Sequence, residues 1–200
     1  MERFKTIVIS RPEIFEGEGR MIEALIEEGI DYVHIRKPEA SEEEVRRLIE
    51  TISEAKRERL CVHYHHRAAK ETGAGGVHLS GRCREVIKGW TGRVSASCHS
   101  LAEAAEMKER CDYVFLSPIY DSISKEGYSS AYSREVLREG VRTGKIDRKV
   151  VALGGIDIEK IEEARETGFG GAALLGAIWK GAETEEEIRR RARRVVGKVQ

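Results

Sequence analysis

Histidine, the side chain that titrates nearest to neutral pH, occurs in one kind of position in this sequence. All six copies lie within or just after short apolar runs, at His34, His63, His65, His66, His78 and His99. If these runs are strands, His34 shares a face with Arg36, while Val33 and Ile35 face the other way. Such imidazoles can hold hydrogen bonds, move protons or bind a metal ion. We predict a polar pocket formed by His34, His65, His66, His78 and His99.

A histidine-bound metal is one interpretation of the run His63-Tyr64-His65-His66. His63 and His65 could face the same way, but two histidines need a third ligand, which His78 or a carboxylate would have to supply. Neutral, hydrogen-bonding histidines are the preferred interpretation. The identity of any metal is left open.

Cationic and hydroxyl side chains at two further places suit a phosphate group. Arg36 and Lys37 follow an apolar run, where two adjacent cations favour a phosphate or diphosphate over a plain surface pair. Ser122, Ser124 and Lys125 lie in the long segment after Ser117, and two hydroxyls followed by a lysine can surround an oxyanion. We therefore predict an anion site that draws on both segments.

Glycines follow two of the apolar runs. Gly154 and Gly155 end the run Val150-Val151-Ala152-Leu153, and Gly176 follows Ala172-Ala173-Leu174-Leu175. Glycine lets a backbone approach a ligand closely, and backbone N–H groups at such ends often hold phosphate. Purely steric reasons could also place glycine here.

The elements that must position these groups repeat along the chain. Eight short apolar runs alternate with charged segments that have helical periodicity, which indicates repeated βαβ units and a parallel sheet. A Gly-x-Gly-x-x-Gly motif does not follow the first run, which weighs against an open dinucleotide-binding sheet. We predict a single (β/α)8 TIM barrel over residues 1–200, with its active site at the carboxyl ends of the strands.

Composition excludes several kinds of partner. The chain has 35 Lys plus Arg and 35 Asp plus Glu, so its formal charge is zero. This balance gives no reason to expect nucleic acid as a partner. No run approaches the about 20 apolar residues of a membrane helix, and the start lacks the apolar stretch of a signal peptide. We expect a cytoplasmic protein with free cysteines, and we leave the oligomeric state, including a homo-oligomer, open.

Several short motifs, in order, resemble the thiamine phosphate synthase and thiazole tautomerase family along nearly the whole chain. The matching segments are His34-Ile35-Arg36, Gly76-Val77-His78-Leu79, Ser97-Cys98-His99-Ser100, Ser117-Pro118-Ile119-Tyr120, Ser122-Ile123-Ser124-Lys125 and Ala152-Leu153-Gly154-Gly155-Ile156. The resemblance implies a (β/α)8 barrel. It also implies a transferase that joins hydroxymethylpyrimidine diphosphate to thiazole phosphate and releases diphosphate.

The resemblance also implies roles for individual residues. The catalytic residues of the family correspond to Arg36, Ser97 and Lys125. The family's diphosphate contacts fall on Arg36, Ser122, Ser124 and Lys125, and its thiazole phosphate contacts fall on Gly154, Gly155 and Gly176. We add Lys37 to the predicted diphosphate contacts because its charge lies next to Arg36.

The sequence departs from the family pattern in three places, two of which concern Mg2+, the cofactor that the resemblance implies. His65-His66 stands where the family has Asn-Asp, and Ser80-Gly81-Arg82-Cys83 lacks the second magnesium aspartate. Lys37 directly follows Arg36, and Pro38 takes the usual lysine position. Because Mg2+ prefers oxygen ligands, these changes leave the use of Mg2+ an open question.

Two alternative functions therefore accompany the synthase hypothesis. A tautomerase-like isomerase needs an acid–base residue, for which His65, His66 or His99 could serve, although that branch carries histidine where Pro118 stands. A non-catalytic binder of phosphorylated ligands is the other alternative. Magnesium-dependent turnover would separate the synthase from both.

Overall fold

Eight parallel strands close into a barrel in the computed structural model, which describes residues 3–120 and 132–200. Each strand pairs with the next along the chain, and the first pairs with the last. The strands are β1 (Lys5–Ile9), β2 (Tyr32–Ile35), β3 (Leu60–His63), β4 (Gly76–Leu79), β5 (Arg93–Cys98), β6 (Tyr113–Leu116), β7 (Val150–Leu153) and β8 (Gly171–Leu174). The predicted (β/α)8 barrel is thus confirmed.

Helices surround the barrel. They are α1 (Glu18–Glu27), α2 (Glu42–Glu50), α3 (Glu54–Arg57), α4 (His66–Thr72), α5 (Leu101–Met107), α6 (Arg134–Arg142), α7 (Lys160–Thr167), α8 (Gly176–Trp179) and α9 (Glu185–Gly197). Ser41 and Glu44 form a capping box at the start of α2, and the Ser100 hydroxyl accepts the Glu103 N–H at 3.1 Å. Residues 80–92, between β4 and β5, contain no helix, so the alternation is interrupted once within the described chain.

The larger part of the core lies between the strands and the helices. The outward side chains of the strands, such as Val33, Ile35 and Val62, are fully buried against the amphipathic helices. This arrangement fixes the direction of the alternate residues, because neighbouring side chains on a strand point to opposite faces. The polar residues between them must therefore point into the barrel.

A second, smaller core fills part of the barrel interior. Its members are Ile7, Ile9, Tyr113, Phe115, Val151 and Ala173, which come from β1, β6, β7 and β8. Histidine and serine side chains from β2 to β5 occupy the rest of the interior. Among the helices that the structure describes, none has the length and apolar character needed to cross a bilayer.

Candidate active site

Two serines and a histidine form a hydrogen-bonded chain that runs up to the carboxyl ends of β4 and β5. His78 lies directly opposite Ser95 in the strand register. Its Nδ1 is 2.8 Å from Ser95 Oγ, and its Nε2 is 2.8 Å from Ser97 Oγ. His78 and Ser95 are almost completely buried, whereas Ser97 is partly exposed. The buried His78 and Ser95 therefore fix the orientation of the Ser97 hydroxyl at the barrel mouth.

A second polar chain crosses the barrel interior beside the first. The Tyr113 hydroxyl lies 2.6 Å from His34 Nε2, and His34 Nδ1 lies 2.9 Å from His63 Nε2. The rings of His63 and His78 stack with centroids 4.0 Å apart, which joins the two chains. The ring nitrogens in these contacts each lie within hydrogen-bonding distance of a partner. They therefore avoid the cost of burying an unpaired polar group.

Burial keeps these imidazoles neutral. Desolvation lowers the pKa of His34 and of His63 well below the usual 6.5, and neighbouring imidazoles and arginines lower each pKa further. The pKa of His78 falls to about 3, again mainly because of burial, with His66 and Arg36 contributing. At neutral pH the interior thus holds three uncharged imidazoles. Each has one protonated ring nitrogen and one ring nitrogen whose lone pair can accept a hydrogen bond.

Arg36 follows β2 at the barrel mouth. Its backbone N–H donates to Ser10 Oγ at 2.9 Å, which fixes the position of the chain just after the strand. Its charge lowers the pKa of both His63 and His78, so the guanidinium lies on the same side of the barrel as those rings. Within residues 3–120 and 132–200, no carboxylate is paired with this guanidinium. Arg36 can therefore receive an anionic ligand.

Lys37 has a different environment from the one predicted. Its side chain is completely buried, and its Nζ donates to the Arg11 carbonyl at 2.8 Å, the Glu13 carbonyl at 2.7 Å and Glu18 Oε1 at 2.5 Å. An ammonium has three protons, and all three are used by these acceptors. Lys37 therefore anchors the β1–α1 connection to the end of β2. This geometry does not support the predicted diphosphate contact, and we leave Lys37 out of the proposed site.

The remaining predicted pocket histidines separate into different surroundings. His65 Nε2 lies 3.1 Å from the Lys37 carbonyl, and its Nδ1 lies 3.5 Å from a Glu42 carboxylate oxygen. His66 is buried, with Nε2 3.2 Å from the His78 carbonyl. His99 is exposed, and its Nδ1 lies 3.2 Å from the Ser117 carbonyl. Of the five predicted pocket histidines, only His34 and His78 are therefore in the interior network.

The interior network includes three residues that the predicted pocket omitted: His63, Ser95 and Tyr113. His63 and Ser95 had a signal in the sequence, because they share strand faces with other polar residues. Tyr113 had none, because Tyr113-Val114-Phe115-Leu116 reads as a uniformly apolar strand. Only the closed barrel brings the Tyr113 hydroxyl next to a histidine from β2.

The predicted glycines follow β7 and β8. Gly154 and Gly155 have φ values of 96° and 65°, a backbone conformation that favours glycine. A Cβ on Gly154 would lie 3.0 Å from the Pro118 Cα, so close packing contributes to the choice of glycine there. Gly176 is the first residue of α8. No acceptor among the described residues is paired with the N–H of Gly155 or Gly176.

A cavity of about 290 Å³ opens at the ends of β4 and β5. Ser80, Ser97, Arg84 and Glu103 contribute to its lining, and the buried Ser80 Oγ has no hydrogen-bond partner among the described residues. A larger groove of about 490 Å³ lies between α6 and α7, on the outer helical layer and away from the interior network.

The predicted contacts Ser122, Ser124 and Lys125 lie outside the described residues.

Solved structures with the same architecture cover nearly the whole chain. A thiamine phosphate pyrophosphorylase from Bacteroides thetaiotaomicron has a TM-score of 0.87 and 36% sequence identity, and the match covers 97% of this chain and 96% of that one. A thiamine phosphate pyrophosphorylase from Pyrococcus furiosus has a TM-score of 0.78 at 25% identity, covering 99% and 96%. The likeness therefore extends over both the barrel and its helices.

Sequence comparison identifies the same family. A thiamine-phosphate synthase from Photorhabdus laumondii is 32% identical over 169 residues, which cover 80% of this chain and 77% of that protein. Matches to thiamine-phosphate synthases of Listeria welshimeri and Listeria monocytogenes, both 32% identical, span only about half of those proteins (56% and 54%). The family model described as thiamine monophosphate synthase matches residues 7–178. The chain therefore belongs to the thiamine monophosphate synthase family.

Proposed function

We propose that this chain is a transferase that couples a hydroxymethylpyrimidine diphosphate to a thiazole phosphate and releases diphosphate. The observation that carries the proposal is Arg36, a guanidinium at the barrel mouth with no carboxylate partner in the described chain. Family membership supplies the reaction class. The substrates in this proposal are small phosphorylated molecules.

The proposed roles follow from what each group can do. Diphosphate departure leaves a cation on the pyrimidine methylene, and a fixed guanidinium at Arg36 would stabilise the negative charge that develops on the leaving group. Ser97, held by His78 at 2.8 Å, can present its hydroxyl to the same reacting region. The N–H groups of Gly155 and Gly176, with Gly154 allowing close approach, would hold the thiazole phosphate. Ser122, Ser124 and Lys125 stay predicted diphosphate contacts.

The donors at the predicted magnesium positions do not fit Mg2+. His65 and His66 present imidazole nitrogens, and the segment after β4 presents Ser80 and Cys83, whereas Mg2+ prefers oxygen ligands in an octahedron. The nearby Glu42 carboxylate is already paired with His65 and with the Ala68 N–H. The residue roles proposed for this reaction therefore do not involve a magnesium ion.

A coupling assay tests the proposal. The chain would be mixed with hydroxymethylpyrimidine diphosphate and thiazole phosphate, with and without Mg2+, and both diphosphate and thiamine phosphate would be measured. We expect equal amounts of the two products. Binding of thiazole phosphate without any coupling, at any Mg2+ concentration, would contradict the transferase assignment and leave a binder or an isomerase.

Arg36→Ala should abolish binding of the diphosphate substrate and leave the thermal midpoint nearly unchanged, because the guanidinium has no carboxylate partner to lose. The exposed Arg47, paired with Glu43 on α2, gives a matched control in Arg47→Ala, which should keep full affinity. Calorimetric titration and thermal unfolding check both variants. Retained affinity in Arg36→Ala would remove Arg36 from the site.

The neighbouring Lys37 supplies a contrast. Lys37→Met should lower the free energy of unfolding by about 3–5 kcal/mol, because it leaves the buried Glu18 carboxylate without its partner. Denaturant titration measures the loss. A stable Lys37→Met variant with weakened diphosphate binding would instead restore the original prediction for Lys37.

A further inference from the structure

Three histidines from three neighbouring strands converge inside the barrel. His34 on β2, His63 on β3 and His78 on β4 each place one ring nitrogen within 4.8 Å of the other two. The closest approach is between His34 Nδ1 and His63 Nε2, at 2.9 Å. His63 and His78 are directly opposite each other in the register of β3 and β4. The parallel pairing of β2, β3 and β4 therefore creates the cluster.

The donor set selects a particular class of metal ion. Three neutral imidazoles suit zinc and related divalent ions, while Mg2+ and Ca2+ take oxygen ligands. A tetrahedral ion with Zn–N distances of about 2.0–2.1 Å would separate the nitrogens by roughly 3.4 Å. The cluster is close to that spacing, since its nitrogens span from 2.9 Å to at most 4.8 Å.

The surroundings can complete such a site. Ser97 Oγ, 2.8 Å from His78 Nε2, is partly exposed and stands between the cluster and the barrel mouth. On the other side, the Tyr113 hydroxyl is 2.6 Å from His34 Nε2. When a metal takes His34 Nδ1, the imidazole proton moves to Nε2 and can be donated to the Tyr113 oxygen, as an outer partner that fixes the ring. The fourth coordination position of the metal ion then faces Ser97 and the mouth of the barrel.

We propose that His34, His63 and His78 bind a zinc-type divalent metal ion inside the barrel. The three rings are the ligands, and water or the Ser97 hydroxyl takes the fourth position. The site is separate from the predicted His63–His65 pair, because His65 turns towards the Lys37 carbonyl and Glu42. The inference does not depend on the proposed transferase activity, since it concerns binding alone.

The test uses the full chain, stripped with a chelator and then incubated with Zn2+ or Co2+. We expect one metal ion per chain by mass spectrometry of the metal, and a visible Co2+ spectrum of a tetrahedral nitrogen site. Excess Mg2+ should not compete. His63→Gln should weaken binding by more than roughly 100-fold, since loss of an outer partner alone costs about 10–100-fold. The exposed His99, at the same barrel end, gives the control His99→Gln, which should bind like the unaltered chain.

Three results would overturn the proposal. The first is less than a tenth of an equivalent of metal on the unaltered, folded chain. The second is undiminished binding by a His63→Gln variant. The third is a thiolate charge-transfer band in the Co2+ spectrum, which would place the metal at Cys83 and His66, whose Sγ and Nδ1 atoms are 3.6 Å apart. The Co2+ spectrum of the unaltered chain decides the matter if His63→Gln does not fold.

Discussion

The two halves of the barrel interior are built on opposite principles. From β6 through β8 to β1, the inward side chains are large and apolar, with Phe115, Val151, Ile7 and Ile9 packed into one cluster. From β2 to β5 they include the imidazoles of His34, His63 and His78 and the hydroxyls of Ser95 and Ser97. Most side chains named in both halves are buried, so the difference lies in what stabilises them. The apolar half gains from removal of hydrocarbon from water, while the polar half depends on the hydrogen bonds between its buried side chains.

This contrast indicates where the chemistry of the barrel is located. A polar interior gives little net stability, because its hydrogen bonds only replace those with water, and it becomes costly when one partner is lost. His78, in the polar half, contacts the Ser97 hydroxyl at the barrel mouth, and the charge of Arg36 lowers the pKa of His63 and of His78. The apolar half therefore supports the barrel, and the polar half orients groups for the site above it.

The largest expected effect is acid unfolding driven by the polar half. His34, His63 and His78 are neutral in the fold, with pKa values below the ordinary 6.5, so the unfolded chain binds more protons in acid. Their stabilisation is complete above pH 6.5 and is lost as the pH falls below it. At pH 5 the loss is about 2 kcal/mol for His78, whose pKa falls to about 3, and the lowered pKa of His34 and of His63 adds to this loss. Urea unfolding between pH 7.5 and 5 measures it.

His63→Gln tests the assignment of this pH dependence to the rings. One fewer imidazole titrates in that variant, so its free energy of unfolding should fall less between pH 7.5 and 5 than that of the unaltered chain. If the unaltered chain kept constant stability over this range, the buried histidines would not be neutral, and the contrast between the halves would fail.

Phe115→Ala should have the next largest effect, through the apolar half. The side chain is completely buried, and its removal leaves a cavity, which typically costs about 3–5 kcal/mol. This loss should be the same at pH 7.5 and at pH 6.5, because no titratable group is removed. A loss that grew sharply over this range would show that the two halves are coupled through the rings of His34 and His78, which lie 4.7 and 4.9 Å from the Phe115 ring.

Tyr113→Phe should have the smallest effect, and it acts at the boundary between the halves. Its ring belongs to the apolar cluster, while its hydroxyl lies 2.6 Å from His34 Nε2. Loss of the hydroxyl leaves a buried nitrogen unpaired and should cost about 1–3 kcal/mol with little change in packing. Denaturant titration gives the value. A gain in stability would mean that the hydroxyl, and not the imidazole, is the poorly satisfied group.

Much of the fold could be predicted because local patterns recur. Each strand needs an apolar face against a helix, and that requirement appears in runs such as Tyr32–Ile35 and Val150–Leu153. The connection between β4 and β5 departs from the pattern. Residues 80–92 contain no helix, although the segment is long enough to suggest one.

The site was predicted less completely, for a physical reason. Arg36 and Lys37 are adjacent cations with the same apparent suitability for phosphate, but one points to the barrel mouth and the other is buried against Glu18. Alternation along the strand separates their directions, and the position of the β1–α1 connection decides that Lys37 finds three acceptors. No local pattern encodes that position.

The sequence by itself determined the family, the eight-fold repeat and the placement of polar residues at strand ends, because these depend on residue type and spacing along the chain. Only the tertiary structure decided which of those residues meet. His34, His63, His78 and Tyr113 are far apart in sequence and become neighbours when the barrel closes. Burial and hydrogen bonding in the closed barrel then set their charge, and neither can be assigned before the surrounding strands are in place.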